Sequence, residues 1–397
     1  MPPSKTAPAA ATGPLFPASD PEGRVLWTPA LRRKVFPRRE LGLKPPKPGD
    51  LAALLAHLRG HVAALWGPFE AGARHPANDP ALTALRHEAR AWLDATPPPD
   101  TLRPAQAAVL FQLLELCDGM RADSLQAGFV DLLVARFGVE FALRTLAEAF
   151  AIVRVKLPEG ESLVVVPLPN PRRGYSGPSV SVHFPAYALV RAEHARVDSL
   201  DLSELDAALA GTRTLSLYLF CTEFVPWLRL REHLAGLAPA AWETLRDAVA
   251  GPLYASSSLV ARHMIAWSFP ECPPWAEALA TPALTTQHGL YPMLTACLPD
   301  PSVLPAIQCE YFFEHFAEAC TSMLAAAGPR AVPALLALGR RLRVTAEYRA
   351  ALALVAHVDT DEAVGALLAE ANNPRFAQSL SLVEANFPAR VKALRGH

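Results

Sequence analysis

Few side chains in this sequence stand at spacings that do chemistry. His57 and His61 are four residues apart, which on a helix puts two imidazoles on one face, the first half of a metal site. No further ligand follows at metalloprotease spacing, so the pair reads as two solvent-facing histidines. Cys309, Glu310, Tyr311, Glu314, His315 and Cys320 recur at helical spacing. A carboxylate, an imidazole and a thiol support acid–base work only where they converge in one pocket. Phe312, Phe313 and Phe316 are what a core would take from the same stretch, leaving the polar members for a solvated face or for helix caps. Gly174-Tyr175-Ser176-Gly177 lacks the Gly-x-Ser-x-Gly spacing of a nucleophile elbow and sits in a proline- and glycine-rich turn. The sequence contains no Gly-x-x-x-x-Gly-Lys loop, no Gly-x-Gly-x-x-Gly after a strand and no His-Glu-x-x-His. The expectation is a non-enzyme with no cofactor and no metal; an enzyme with an unrecognised site is the least favoured reading.

Residues that could hold a partner are better supplied. Arg32, Arg33, Lys34, Arg38, Arg39, Lys44 and Lys47 form a basic run broken by Glu40. Together with Arg172 and Arg173 they are the candidates for phosphate or for an acidic protein. The alternative is a solvated linker. Trp227, Trp242, Trp267, Phe269 and Trp275 form an aromatic set. Most should be core at irregular helix junctions, while Trp227 and Trp275 are the candidates for partner contact, where tryptophan and arginine are favoured. Arg340, Arg341 and Arg343 close a helix and complement its dipole.

Composition narrows the class. The chain has 397 residues, 51% of them hydrophobic and 19% charged, which is enough apolar surface for a large core and excludes global disorder. A formal net charge of −1 argues against a surface built throughout for nucleic acid or anionic membrane. The cysteines at 117, 221, 272, 297, 309 and 320 contain no Cys-x-x-Cys pair and read as small buried hydrophobes in a reducing compartment. Met-Pro-Pro-Ser-Lys begins the chain without an apolar core of signal-peptide length, and no window reaches the roughly 18 uninterrupted apolar residues of a membrane helix. A soluble cytoplasmic protein with no membrane partner is expected. The bias to Ala, Leu, Arg and Pro suits a GC-rich bacterial genome.

The elements that must position these residues are mostly helices. Residues 1–49 are rich in Pro, Ala and Gly without a sustained period and read as an extended basic arm, pinned at most by Phe16, Leu26, Trp27 and Phe36. Residues 50–151 carry helical spacing: Asp50 caps a helix bearing Leu51, Leu54, Leu58 and Val62, and Pro80 opens a second helix with Leu82, Leu85 and Trp92 inward. Residues 152–198 change texture. Val153–Leu157 and Leu163–Pro167 are β-branched runs around Pro158-Glu159-Gly160, a candidate hairpin, and Ser179–Phe184 alternates as a third strand. Residues 199–397 return to short helices with prolines between or at the starts of them, where a missing N–H costs nothing.

The last stretch repeats. Ala-Val-Pro-Ala-Leu-Leu-Ala-Leu at 331–338 recurs as Ala-Val-Gly-Ala-Leu-Leu-Ala-Glu at 363–370, and Leu-Ala-Leu-Val at 352–355 recurs as Leu-Ser-Leu-Val at 380–383. Tyr348, Leu352, Val355 and Val358 form one stripe, Asp359 stands ready to cap the next helix, Val364, Leu367, Leu368 and Ala371 form a second stripe, and Phe376, Leu380 and Val383 a third. One such helix cannot bury its stripe alone and must stack on its neighbours. The Arg349…Asp359…Glu362…Leu367-Leu368 pattern resembles HEAT-type repeats, which implies a mainly α fold, an α-solenoid of helical pairs, and a protein-binding scaffold or regulatory adaptor. Trp227-Leu228, Trp242, Arg262–Phe269 and Trp275 followed by the repeats resemble the helical region of bacterial WGR-domain proteins related to the molybdate metabolism regulator. That resemblance implies regulation and nucleic-acid transactions. No Trp-Gly-Arg signature occurs, and Trp66-Gly67-Pro68 is not one. A protein partner is therefore the first expectation, and a nucleic-acid-associated regulator working through the basic arm is the alternative.

Overall fold

A computed structural model of the chain describes residues 20, 22–73, 79–115, 122–149, 152–156, 162–167, 179–184, 187–191, 224–250, 259–280, 294–303 and 315–396. Among them the fold is mainly helical, and the chain divides into two compact units. One comprises 36–294 with 308–311; the other comprises 1–35, 295–307 and 312–397. The boundary near 294 falls inside the stretch expected to be one repeat domain.

The larger unit begins with five helices: α2 (Leu51–Ala73), α3 (Pro80–Asp94), α4 (Pro104–Glu115), α5 (Ala122–Phe137) and α6 (Val139–Ala149), α1 (Pro29–Arg32) belonging to the other unit. Local chemistry sets their starts. The Asp50 carboxylate accepts from the N–H groups of Ala52 and Ala53, both at 3.0 Å, and Asp79 accepts from Ala81 N–H with Pro80 at the first helical position. Gly138, at φ 90°, makes the break between α5 and α6. Leu58, Val62, Leu82, Leu110, Leu132 and Leu143 are buried in the core. Arg59 ties α2 to the end of α3, its guanidinium donating to the carbonyls of Leu93 and Ala95 at 2.6 and 2.5 Å. Among the described residues four helices follow: α7 (Phe224–Ala235), α8 (Pro239–Ala248), α9 (Leu259–Ser268) and α10 (Pro273–Leu279).

Between α6 and α7 the described residues form four strands, β1 (Ile152–Lys156), β2 (Ser162–Pro167), β3 (Ser179–Phe184) and β4 (Tyr187–Arg191). Their pairing is nested and antiparallel. Ile152 to Lys156 run against Arg191 to Tyr187, and Ser162 to Pro167 run against Phe184 to Ser179. The expected β1–β2 hairpin is therefore incorrect, and β4 completes the set. A β-branched run specifies a strand without specifying its partner, because register is set by the buried face and the turns. The α2 helix lies along β2 and β4.

The smaller unit contains α11 (Phe316–Ala327), α12 (Val332–Arg341), α13 (Thr345–Val355), α14 (Asp361–Ala369), α15 (Ala377–Asn386) and α16 (Pro388–Arg395). Leu352, Val355, Val358, Val364, Leu367, Phe376 and Val383 are buried as the stripes require, whereas Ala371 is exposed and Leu380 half-buried. Thr360, not Asp359, caps α14, its hydroxyl accepting from Ala363 N–H at 3.2 Å. Asp359 binds Arg390 at 2.5 Å instead. The most extensive helix packing here is of α12 on α13, and α11 also packs on α13, α13 on α15 and α14 on α16. In the larger unit α4 packs on α3 and α6, α5 on α6 and α7, and α7 on α9. The helical run Phe316–Arg341 is long and apolar enough to cross a membrane, and 72% of its most apolar window is buried inside the protein.

The expected extended arm is packed over its described part. Val25 bridges Val358, Leu26 N–H donates to His357 O at 2.8 Å, and Asp359 N–H donates to Arg24 O at 2.7 Å. Asp20, itself buried, accepts from the N–H groups of Arg24 and Val25. Irregularly spaced apolar residues, Val25, Leu31 and Val35, supply the anchoring that a periodic pattern would have announced.

Candidate functional site

A cleft of about 460 Å³ opens among α2, α5 and α7, with Lys47 and Asp50 at its lining beside Leu54 and Gly128. Its polar wall is an ion network. Arg229 donates twice to the Asp131 carboxylate, Nε and Nη2 each at 2.8 Å, and once to Glu232 at 2.6 Å. His233 Nε2 lies 2.7 Å from Asp131 Oδ1, and Asp131 and His233 are buried. Burial works against ionisation at Asp131, but hydrogen bonds from His233 and Arg229, with their charges, outweigh it and hold the carboxyl below its usual range. The hydrogen bond to Asp131 raises Arg229 further, against the opposing effect of burial. A carboxylate locked by a bidentate arginine is a poor proton acceptor, so this arrangement joins α5 to α7 rather than performing acid–base chemistry. Sequence reading missed it. Arg229, Glu232 and His233 share one helix face, but Asp131 lies far upstream and nothing in the sequence couples them.

The tryptophan-rich junction is a second constellation. The Arg231 side chain, 1% exposed, donates to Pro37 O and Trp267 O, both at 2.6 Å, and its guanidinium stacks 4.5 Å from the Trp267 ring. Phe36 meets the Trp267 ring edge-on at 5.4 Å. One buried arginine thus fastens the N-terminal stretch and the last carbonyl turn of α9 to α7. Arg39 extends the junction, its guanidinium 4.5 Å over Trp242 and its N–H donating to Glu271 at 2.8 Å. Burial, opposed by that hydrogen bond, raises the Glu271 carboxyl. Burial and then the Glu271 charge push the Cys272 thiol up to about 11, which makes it a poor nucleophile.

The expected partner residues separate accordingly. Trp227 is 1% exposed and belongs to the core, so its assignment as a contact residue is incorrect. Trp275 is half-buried, 5.3 Å from Phe269. Arg38 is buried and bound to Glu40 at 2.7 Å, and Arg39 is committed to the junction. Arg32, Arg33 and Lys34 are exposed and carry no ion pair among the described residues. Arg172 and Arg173 lie outside the described residues, as do Cys309, Glu310, Tyr311 and Glu314; His315 precedes α11, and Cys320 is buried. The solvent-facing reading of His57 and His61 is incorrect: they are 6% and 2% exposed, because α2 is covered on that side. Burial, then the neighbouring His57, pushes His61 down to about 4. No group of three or more His, Cys, Asp or Glu among the described residues could hold a metal ion.

A third surface lies where α12 meets α13. Arg375 reaches into this turn, donating to Arg340 O at 2.8 Å and to Leu342 O, and stacks 4.2 Å over Tyr348. Arg340 pairs with Glu370 at 2.9 Å. Arg341, Arg343 and Arg349 are exposed and carry no ion pair among the described residues, and between them Val344 is 46% exposed.

Comparison with protein-family models, with curated proteins and with solved structures gives no match.

Proposed function

We propose that this chain is a non-catalytic, cytoplasmic helical-repeat protein, an α-solenoid of HEAT-like pairs that serves as a scaffold or regulatory adaptor by holding a protein partner. The packing of α11, α12 and α15 on α13, with α14 on α16, carries this reading. In such a stack the stripes are consumed between neighbours, and turns and outer faces remain for contact. The α12–α13 turn is well supplied for that role. Exposed guanidinium groups around an exposed valine suit an acidic protein segment carrying an apolar anchor, since arginine grips carboxylates bidentately. A regulatory adaptor also fits the resemblance to the helical region of WGR-domain proteins.

Capture from the native host with the wild-type chain and with the triple variant Arg341→Glu, Arg343→Glu, Arg349→Glu tests the reading. The expected result is a protein held by the wild type and lost by a variant of equal melting temperature; equal recovery by both removes the turn as the contact. The nucleic-acid reading keeps one support, the exposed Arg32-Arg33-Lys34 run. It predicts DNA or RNA affinity at low salt that falls steeply as salt rises and is lost on replacing those three residues with glutamate.

A further inference from the structure

The cleft among α2, α5 and α7 joins a fixed polar wall to an apolar floor. Five of its lining residues carry charge: Lys47, Asp50, Asp131, Arg229 and Glu232. All three guanidinium nitrogens of Arg229 donate to Asp131 or Glu232, so its charge is already met by two carboxylates. Asp131, 7% exposed, gives Oδ1 to Arg229 and His233 and Oδ2 to Arg229. Capacity for a ligand is left on the other three. Glu232 accepts from Arg229 through Oε2, and Asp50 accepts from Ala52 and Ala53 through Oδ1. A carboxylate has two oxygens, so each retains one that can accept. Lys47 is exposed, and its ammonium carries three donors. The floor is Leu54, Val225 and Leu228. Ala127 and Gly128 keep the α5 side small, and a Cβ on Gly128 would already stand 3.0 Å from Leu54 Cδ1.

This lining sorts ligands by charge. Three carboxylates against two cations, one of those cations held by two of the carboxylates, disfavour phosphate and other anions. A plain amine would find acceptors on Glu232 and Asp50 but would face Lys47 as a like charge. A zwitterion suits both signs: its carboxylate meets Lys47, its ammonium meets Glu232 and Asp50, and an apolar side chain covers Leu54, Val225 and Leu228. The cleft volume falls within the roughly 300–1,000 Å³ of small-molecule sites. We propose that this cleft binds a free α-amino acid with a large apolar side chain, of the leucine or phenylalanine kind. Every lining residue belongs to the larger unit, so the proposal is independent of the partner-binding reading, which rests on the smaller one.

Calorimetric titration of the full-length chain tests it. Leucine and phenylalanine are each titrated beside the amine that lacks the carboxylate (isoamylamine, phenethylamine) and the acid that lacks the ammonium (isocaproate, hydrocinnamate). The expected result is one-to-one binding of at least one amino acid, weakened about tenfold or more in both of its analogues, since each loses a charge-assisted contact. Lys47→Met should erase the advantage of the amino acid over its amine, and Glu232→Gln its advantage over its acid. No saturable binding of either amino acid at millimolar concentration overturns the proposal. An amine or an acid that binds as well as its amino acid also overturns it, because the cleft would then read one charge only. Binding unchanged in both variants places the ligand elsewhere and overturns it too. Lys47 is exposed and outside the ion network, and the analogue series is read on the wild type, so neither depends on how Glu232→Gln folds.

Discussion

At the scale of single residues, two buried charges decide how the larger unit holds together. Asp131 is the acceptor for both Arg229 and His233, so Asp131→Asn leaves two donors facing a group that no longer carries charge. Breaking one side of a buried pair costs about 3–5 kcal/mol, and denaturant melts at neutral pH should show a loss of that order. The pH dependence has a defined sign. The Asp131 carboxyl sits below its unfolded value, so its contribution is fully present above about pH 4 and is lost as pH falls through the folded value. Stability measured at about pH 6 and about pH 3 should therefore differ less in Asp131→Asn than in the wild type. Arg231 behaves differently: it donates to two carbonyls and lies against two aromatic rings. Arg231→Lys keeps the charge but cannot span Pro37 O and Trp267 O while lying flat on the ring, and a loss of about 2–4 kcal/mol is expected in the same measurement.

At the scale of elements, close approach is the controlling variable. A Cβ on Gly339 of α12 would lie 2.2 Å from Leu352 Cδ2 of α13, and a Cβ on Gly236 would lie 2.3 Å from the Pro45 backbone nitrogen. The first neighbour is a side-chain end that gives way at a cost; the second is backbone. Gly236→Ala should therefore displace the Pro45 segment and speed amide exchange around it, whereas Gly339→Val should cost about 1–3 kcal/mol with the local backbone kept. These contacts mark what was legible in the sequence. Helix starts were readable because Asp50, Asp79 and Pro80 act on their own next turn. The stripes Leu352/Val355 and Val364/Leu367 were readable because a period of 3.6 is written along the chain. Strand partners were not, since β1 pairs with β4 through register alone. The cleft network was not, because Asp131 and Arg229 meet only through the packing of α5 on α7. The burial of His57 and His61 was not legible either, because helical spacing reports a shared face and says nothing of what covers it.

At the scale of the whole molecule, each unit carries its own core, and the tryptophans offer a way to watch them separately. Of the seven, only Trp27 lies in the unit built on the C-terminal helices; Trp66, Trp92, Trp227, Trp242, Trp267 and Trp275 all lie in the other. Intrinsic fluorescence therefore follows mainly the larger unit, while far-ultraviolet circular dichroism follows helices in both. Leu352→Asp places an unpaired charge where leucine is wholly buried against α12, a cost of several kcal/mol confined to the smaller unit. Thermal melting should then show an early loss of part of the dichroism with the fluorescence midpoint nearly unchanged. Arg231→Lys should do the reverse, lowering the fluorescence midpoint and leaving a late helical transition in place. Equal displacement of both probes by both substitutions would mean that the chain unfolds as one cooperative block. The distinction bears on the proposed adaptor role, since a unit that folds and melts alone could be remodelled without disturbing the cleft of the larger unit.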